Sequence, residues 1–213
     1  MQMRKSRGHM TEESLTPNVN DPAAPASDVE VLGDIYTARD LANFGVKGRQ
    51  TFDKEIPVVP PTLEIDWSKV VAFLRACETS SPRVGYKLGA KISSDAAKPG
   101  SDFTHVDCSG FVRAAVRRST DPKATNFPDG SVVQHDWVMA SGFAASTIAD
   151  GSLSDGVIRI AFLSPNDSAN NIGHVVLVRD GKTIESHGGK GPDSRLFDGS
   201  GWQSKAKLYV LKL

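Results

Sequence analysis

The stretch NIGHVVLVRDGKTIESHGGKG, residues 171–191, sets two apolar, β-branched runs, His174–Arg179 and Lys182–Ser186, on either side of Asp180-Gly181. Two such runs joined by Asp-Gly are a strong short-range sign of a β-hairpin with a type I′ turn. If Arg179 and Lys182 pair across the turn, opposed residue numbers keep a constant sum. Val176 then faces Glu185, and His174 lies directly across from His187. Directly opposed side chains share one face with Cβ atoms about 4.5–5.5 Å apart, close enough for one imidazole to hold the other. Glu185, on the same face and diagonal to His174, is the alternative partner.

Moving outward, Val157–Leu163 (VIRIAFL) and Leu208–Leu213 are further β-branched or apolar runs bounded by Gly, Asp, Asn and Ser. Upstream the period changes. Asp66 is placed to cap a helix whose residues Val70, Val71, Phe73, Leu74 and Cys77 form one apolar stripe, and Cys77 reads as a small buried hydrophobe on it. A second helix begins near Cys108, with Phe111, Val112, Ala115 and Val116 on its apolar face, Arg113, Arg117 and Arg118 on the solvated one, and Asp121-Pro122 as its stop. Helices and strands in separate blocks indicate an α+β fold with an antiparallel sheet.

Residues 1–28 are rich in Pro, Ala, Ser, Asn and acids and read as a flexible tail. Residues 29–62 read as an extension, with a short helix from Thr37 and Asp40 to Gly45 and a Pro-rich linker, IPVVPPT, at 56–62. The compact domain is expected over 63–213. The opening residues carry charges with no apolar segment behind them and do not read as a secretory signal, and no apolar run is long enough to span a bilayer.

The 213 residues hold 25 Lys plus Arg against 25 Asp plus Glu, with 39% hydrophobic and 23% charged residues. Zero net charge disfavours nucleic-acid partners, which are usually held through a basic excess. Two cysteines are too few for a disulfide framework, so each is judged by its surroundings.

Cys108 stands in HVDCSGFVRAAV at the first turn of a helix. There the orphan backbone N–H groups and the positive end of the dipole favour the thiolate, which is the nucleophilic form. Gly110 leaves room for close backbone approach. Taken alone, Cys108 reads equally as a buried structural cysteine, and each histidine alone as a polar strand-end residue. A registered histidine pair in a chain with a helix-start cysteine points instead to nucleophile, base and orienting residue.

Residues VDCSGFV around Cys108, GHVVLV around His174, ESHGGKG after it and VGYKLGA around Tyr86 together resemble the NlpC/P60 cysteine peptidases of bacterial cell-wall turnover. The resemblance covers roughly 63–213. It implies a papain-like fold with the nucleophile at the N-terminus of a helix packed on the sheet. By the same resemblance Cys108 is the nucleophile, His174 the general base and His187 the orienting third residue. Tyr86 lies over the nucleophile and, with Ser109, supports the oxyanion site.

The implied reaction is hydrolysis of amide bonds in peptidoglycan stem peptides, commonly that between γ-D-glutamate and the diamino acid. Two departures are Asp155-Gly156 where the family often has Gly-Asp, and a polar insert around Asn166–Asn171; both bear on the substrate groove. A CHAP-like amidase or thiol acyltransferase, and a non-catalytic binding protein on the same scaffold, are the alternatives. A wall-peptidase domain of this kind also resembles amidase effectors of type VI secretion and phage lysins. That likeness implies synthesis in the bacterial cytoplasm, action in the periplasm or wall, and an inhibitor protein as partner; the chain itself is read as a monomer.

The remaining candidates are weaker. Cys108 with His105, and His135-Asp136, lack a paired metal-ligand motif, so no metal and no cofactor are expected. HGGKGPDS lacks the ending of a phosphate-binding loop. Gly188–Gly191 is read as a tight loop beside the site. Arg195 is available for a substrate carboxylate or is simply solvated, and any attraction to an anionic wall is local to it and Lys190. Trp67, Trp137 and Trp202 read as packing residues.

Overall fold

The computed structural model describes residues 62–121 and 123–212, and the tail, the Thr37 helix, nearly all of the linker and Pro122 lie outside them. Within this range the chain is α+β. Helices α1 (Trp67–Thr79), α2 (Cys108–Ser119) and α3 (Ser131–Ala140) come first, followed by β1 (Ala145–Ser146), the one-turn α4 (Ile148–Gly151), β2 (Ile158–Leu163), β3 (His174–Arg179), β4 (Lys182–His187), β5 (Gly191–Asp193) and β6 (Lys207–Lys212). The six strands form one antiparallel sheet in the order β1-β6-β2-β3-β4-β5.

The hairpin turn forms as its chemistry requires. Asp180 and Gly181 both take positive φ, 51° and 68°, the combination that defines type I′. Arg179 pairs with Lys182, Val178 with Thr183 and Leu177 with Ile184. The ladder between β3 and β4 ends there, and each strand has another neighbour on its outer edge. The start of β3 pairs with β2 through Leu163 and His174, while the end of β4 pairs with β5 through Glu185–Asp193, Ser186–Pro192 and His187–Gly191.

Alternation along β3 builds two cores. Val175 and Leu177 join Ile160, Phe162, Ile184 and Leu211 under the helices, where Val70, Phe73, Leu74 and Cys77 of α1 and Phe111, Val112, Ala115 and Val116 of α2 complete the larger cluster. Val176 and Val178 pack with Ala161, Phe197 and Leu208 on the opposite face, where Trp202 also lies. Asp66 caps α1 through Ser68 N, as its position suggests. Burial pushes the Cys77 thiol up to about 12, in keeping with a core residue. Among the described residues, no helix is long and apolar enough to cross a membrane.

Candidate active site

Cys108 is the first residue of α2, and the polar chain around it is held by Asp107 at the N-cap. Asp107 is 1% exposed. Its Oδ1 accepts from Gly110 N at 2.7 Å and from Ser109 Oγ at 3.2 Å, and its Oδ2 accepts from Lys91 Nζ at 2.7 Å and Gly89 N at 3.2 Å. Lys91 Nζ also donates to Ser109 Oγ at 2.9 Å and pairs with Asp129, which in turn pairs with Arg113. A Cβ on residue 110 would lie 3.0 Å from Asp107 Oδ1 and 3.2 Å from the Ala90 carbonyl, so the close approach foreseen for Gly110 is real. Ser109 thus faces the cap, where its hydroxyl fixes the start of the helix.

This cap carries a sizeable share of local stability. Asp107→Ala removes the side-chain acceptor of Gly110 N and one of the two carboxylates on Lys91, so thermal melting should report a loss of about 1–3 kcal/mol.

The segment carrying Tyr86 is stitched to the same place. Gly85 N donates to Thr104 O, Val106 N to Gly85 O and Asp107 N to Ala90 O. Half-buried Tyr86 therefore sits in a strap running past the start of α2. Exposed His105 lies against Gly85.

Opposite the helix start stands His174. The Cys108 thiol lies 3.9 Å from the carbonyl oxygen of Gly173, the residue before His174. His174 Nε2 is 2.7 Å from Glu185 Oε2. Glu185 is fully buried, and every lobe of its carboxylate is engaged. Thr183 Oγ1 donates to Oε1 at 2.6 Å, Arg195 Nε to Oε1 at 3.0 Å and Arg195 Nη2 to Oε2 at 2.7 Å. Trp202 closes the other side of the imidazole, edge-on at 5.2 Å between ring centroids.

The third residue on His174 is therefore Glu185 in geometry, and His187 goes elsewhere. His187 Nδ1 is 3.0 Å from Gly188 O and its Nε2 is 3.5 Å from Asp193 Oδ2. The ladder between β3 and β4 ends at Leu177–Ile184, so His174 and His187 are not a registered pair, and the His187 ring lies beside Asp193 of β5, on the other edge of β4. Arg195 directs its Nε and Nη2 at Glu185. Gly188 sits in an exposed turn with no atom near its Cβ position.

Burial alone would raise the Glu185 carboxyl, but hydrogen bonds from His174 and Arg195, the His174 charge and the Thr183 hydroxyl outweigh it and hold the group at about 2. A carboxyl depressed in the folded state from an ordinary 4.5 contributes stability that is complete above the ordinary value and is lost as pH falls toward 2. Wild type should thus lose stability between about pH 5 and 2, and Glu185→Gln should flatten that part of the curve. Equal acid slopes for the two proteins would contradict it.

Sequence reading passed over Lys91, Asp129, Thr183 and the contact of Trp202 with His174. None carries a local motif, since Lys91 reaches both Asp107 and Asp129 across long loops. His135, on α3, contacts Tyr209 Oη at 3.2 Å and stands edge-on to Phe162. Trp137 packs on Phe127 and Phe143, and Trp67 lies near the Arg179 guanidinium. Cys77 and Cys108 are not joined in a disulfide, and among the described residues no group of three or more His, Cys, Asp and Glu is placed to hold a metal ion.

Compared with known proteins, the chain matches no family model and no curated protein. The thiol at the start of α2 thus touches the residue before a histidine whose Nε2 rests on a buried carboxylate bonded at both oxygens, a combination capable of nucleophilic chemistry.

Proposed function

We propose that the chain is a cysteine amidase or endopeptidase of the NlpC/P60 kind, with a papain-like arrangement, that hydrolyses amide bonds in peptidoglycan stem peptides. The observation that carries this reading is the chain of contacts from Cys108 to Gly173-His174, from His174 Nε2 to Glu185 and from Glu185 to Arg195. The motifs VDCSGFV, GHVVLV and VGYKLGA supply the substrate class.

With Nε2 committed to Glu185, Nδ1 is the ring nitrogen that exchanges a proton with Cys108. The thiolate adds to the amide carbonyl carbon, and backbone N–H groups at the start of α2 stabilise the oxyanion. The imidazolium gives its proton to the amide nitrogen, the C–N bond breaks, and an amine leaves a thioester on Cys108. His174 then takes a proton from water, the oxygen attacks the thioester, and the thiolate departs from a new carboxylic acid. Glu185 stabilises the charged imidazole in both halves and fixes its ring angle. Arg195 and Thr183 act one step back, as positioning residues for Glu185.

A wall amidase is harmless where there is no wall. Expressed with a periplasmic export signal, wild type should lyse a Gram-negative host, while the same protein in the cytoplasm, or exported Cys108→Ala, should leave growth unchanged. Normal growth with exported, folded wild type would contradict the reading.

A further inference from the structure

Sheet order gives the site two unequal flanks. On the β4–β5 side the strap carrying Tyr86 closes in, because Arg83 Nη1 and Nη2 donate to the carbonyls of Lys190 and Pro192 and Gly191 packs against Val84 and Gly85. On the β2–β6 side there is a pocket of about 110 Å³ lined by Ser131, Val132, His135, Phe162, Leu163, Ser164, Pro165 and Lys207. It adjoins the reacting thiol. Gly173, whose carbonyl oxygen touches the Cys108 thiol, packs so tightly on Ser131 that a Cβ there would lie 2.6 Å from the Ser131 hydroxyl.

The lining specifies an occupant. Val132, Phe162, Leu163 and Pro165 make its walls apolar, and its volume is well below the roughly 300–1,000 Å³ of sites for drug-sized ligands, so one short side chain fits. Lys207 stands directly across from Phe162 in the β2–β6 pairing, exposed, with no carboxylate among the described residues paired to it. Its neighbour Lys205 donates to the carbonyl of Asp167 instead. His135 adds an imidazole edge, held by Tyr209.

We propose that this pocket is the subsite for a short aliphatic substrate residue bearing a free carboxylate, with Lys207 as its counter-ion. The assignment rests on the amidase reading for its place in the reaction. It does not rest on it for binding, because apolar walls beside an uncompensated ammonium select a small aliphatic carboxylate whether or not a bond is cut. Specificity follows: a stem peptide amidated at that carboxylate loses the ion pair and enters less readily.

Binding is tested with N-acetylalanine and N-acetylalaninamide, both enantiomers of each, titrated into the ¹⁵N-labelled full chain. One enantiomer of the carboxylate should shift the amide signals of Ser131, His135 and Ser164 with a millimolar Kd. The matching carboxamide, or the carboxylate with Lys207→Met, should bind at least about threefold more weakly, as an exposed ion pair allows. Val132→Trp should fill the pocket and abolish the shifts while leaving the remaining spectrum folded.

Absence of shifts at these residues in wild type, or equal affinity for acid and amide, overturns the assignment. With a stem peptide as substrate, Lys207→Met should raise KM and leave kcat unchanged. If wild type cleaves no stem peptide, the amidase reading fails while the titration still decides the subsite.

Discussion

Glu185→Gln should lower kcat/KM on a peptidoglycan stem peptide by about 10³–10⁴, the size of effect seen when the carboxylate behind a catalytic histidine becomes an amide. The carboxamide keeps the shape. It loses the charge that stabilises the imidazolium, and its NH₂ group opposes both Arg195 and the required tautomer of His174. His187→Ala is the informative control, since among the described residues its ring reaches Asp193 and the Gly188 carbonyl, and activity should stay within about threefold of wild type. A large loss for His187→Ala with little loss for Glu185→Gln would reverse the assignment of the third residue. The measurement is steady-state hydrolysis on both variants, with thermal melting to confirm that each is folded.

His174→Ala should abolish turnover, by about 10⁴ or more, and should also change the thiol itself. A cysteine with an ordinary pKa near 8.5 is only about 3% thiolate at pH 7. One paired with an imidazolium at a helix N-terminus is mostly thiolate. Alkylation of Cys108 by iodoacetamide at pH 7 should therefore slow by roughly 10–30-fold in His174→Ala. Cys77 is a built-in reference in the same chain: it is buried with a raised pKa, so it should react only after denaturation. If Cys108 in folded wild type labels no faster than a denatured-state thiol, the scaffold is not an enzyme of this type.

Local chemistry made much of the fold legible. Asp-Gly between β-branched runs specified the hairpin, Asp66 and the Val70–Cys77 stripe specified α1, and the string around Cys108 placed the start of α2. Helix α3 was less legible: its N-cap is Gly130 with no side-chain cap, and its buried residues Ser131, Val133, Gln134 and Val138 include two polar ones. Gln134 is buried because its amide donates to the carbonyls of Ser109 and Pro128, which no periodicity argument detects.

At the site, residue identity outran pairing. Cys108, His174 and Glu185 were all visible as candidates, and the constant-sum register holds through Leu177–Ile184. What the register could not supply was where the β3–β4 ladder ends and which strand lies on the other edge of β4. Gly191–Asp193 is three residues long and carries a proline, so nothing in it announces β5, yet it takes the end of β4 and gives His187 an aspartate partner. Arg195 tips the choice the same way, because its bidentate pairing compensates burial of Glu185, and a buried carboxylate with three donors is a better anchor than a half-exposed ring. That pairing spans ten positions in sequence and depends on the turn at 188–190 between β4 and β5, which brings Arg195 back alongside Thr183.

The most direct test of the amidase reading is digestion of purified peptidoglycan by wild type and by Cys108→Ala, followed by separation and mass identification of the muropeptides. The account predicts that wild type produces shortened stem peptides with matching new amine and carboxyl ends, and that Cys108→Ala leaves the profile of undigested material. Identical profiles for wild type and undigested wall, or equal cleavage by Cys108→Ala, would contradict it.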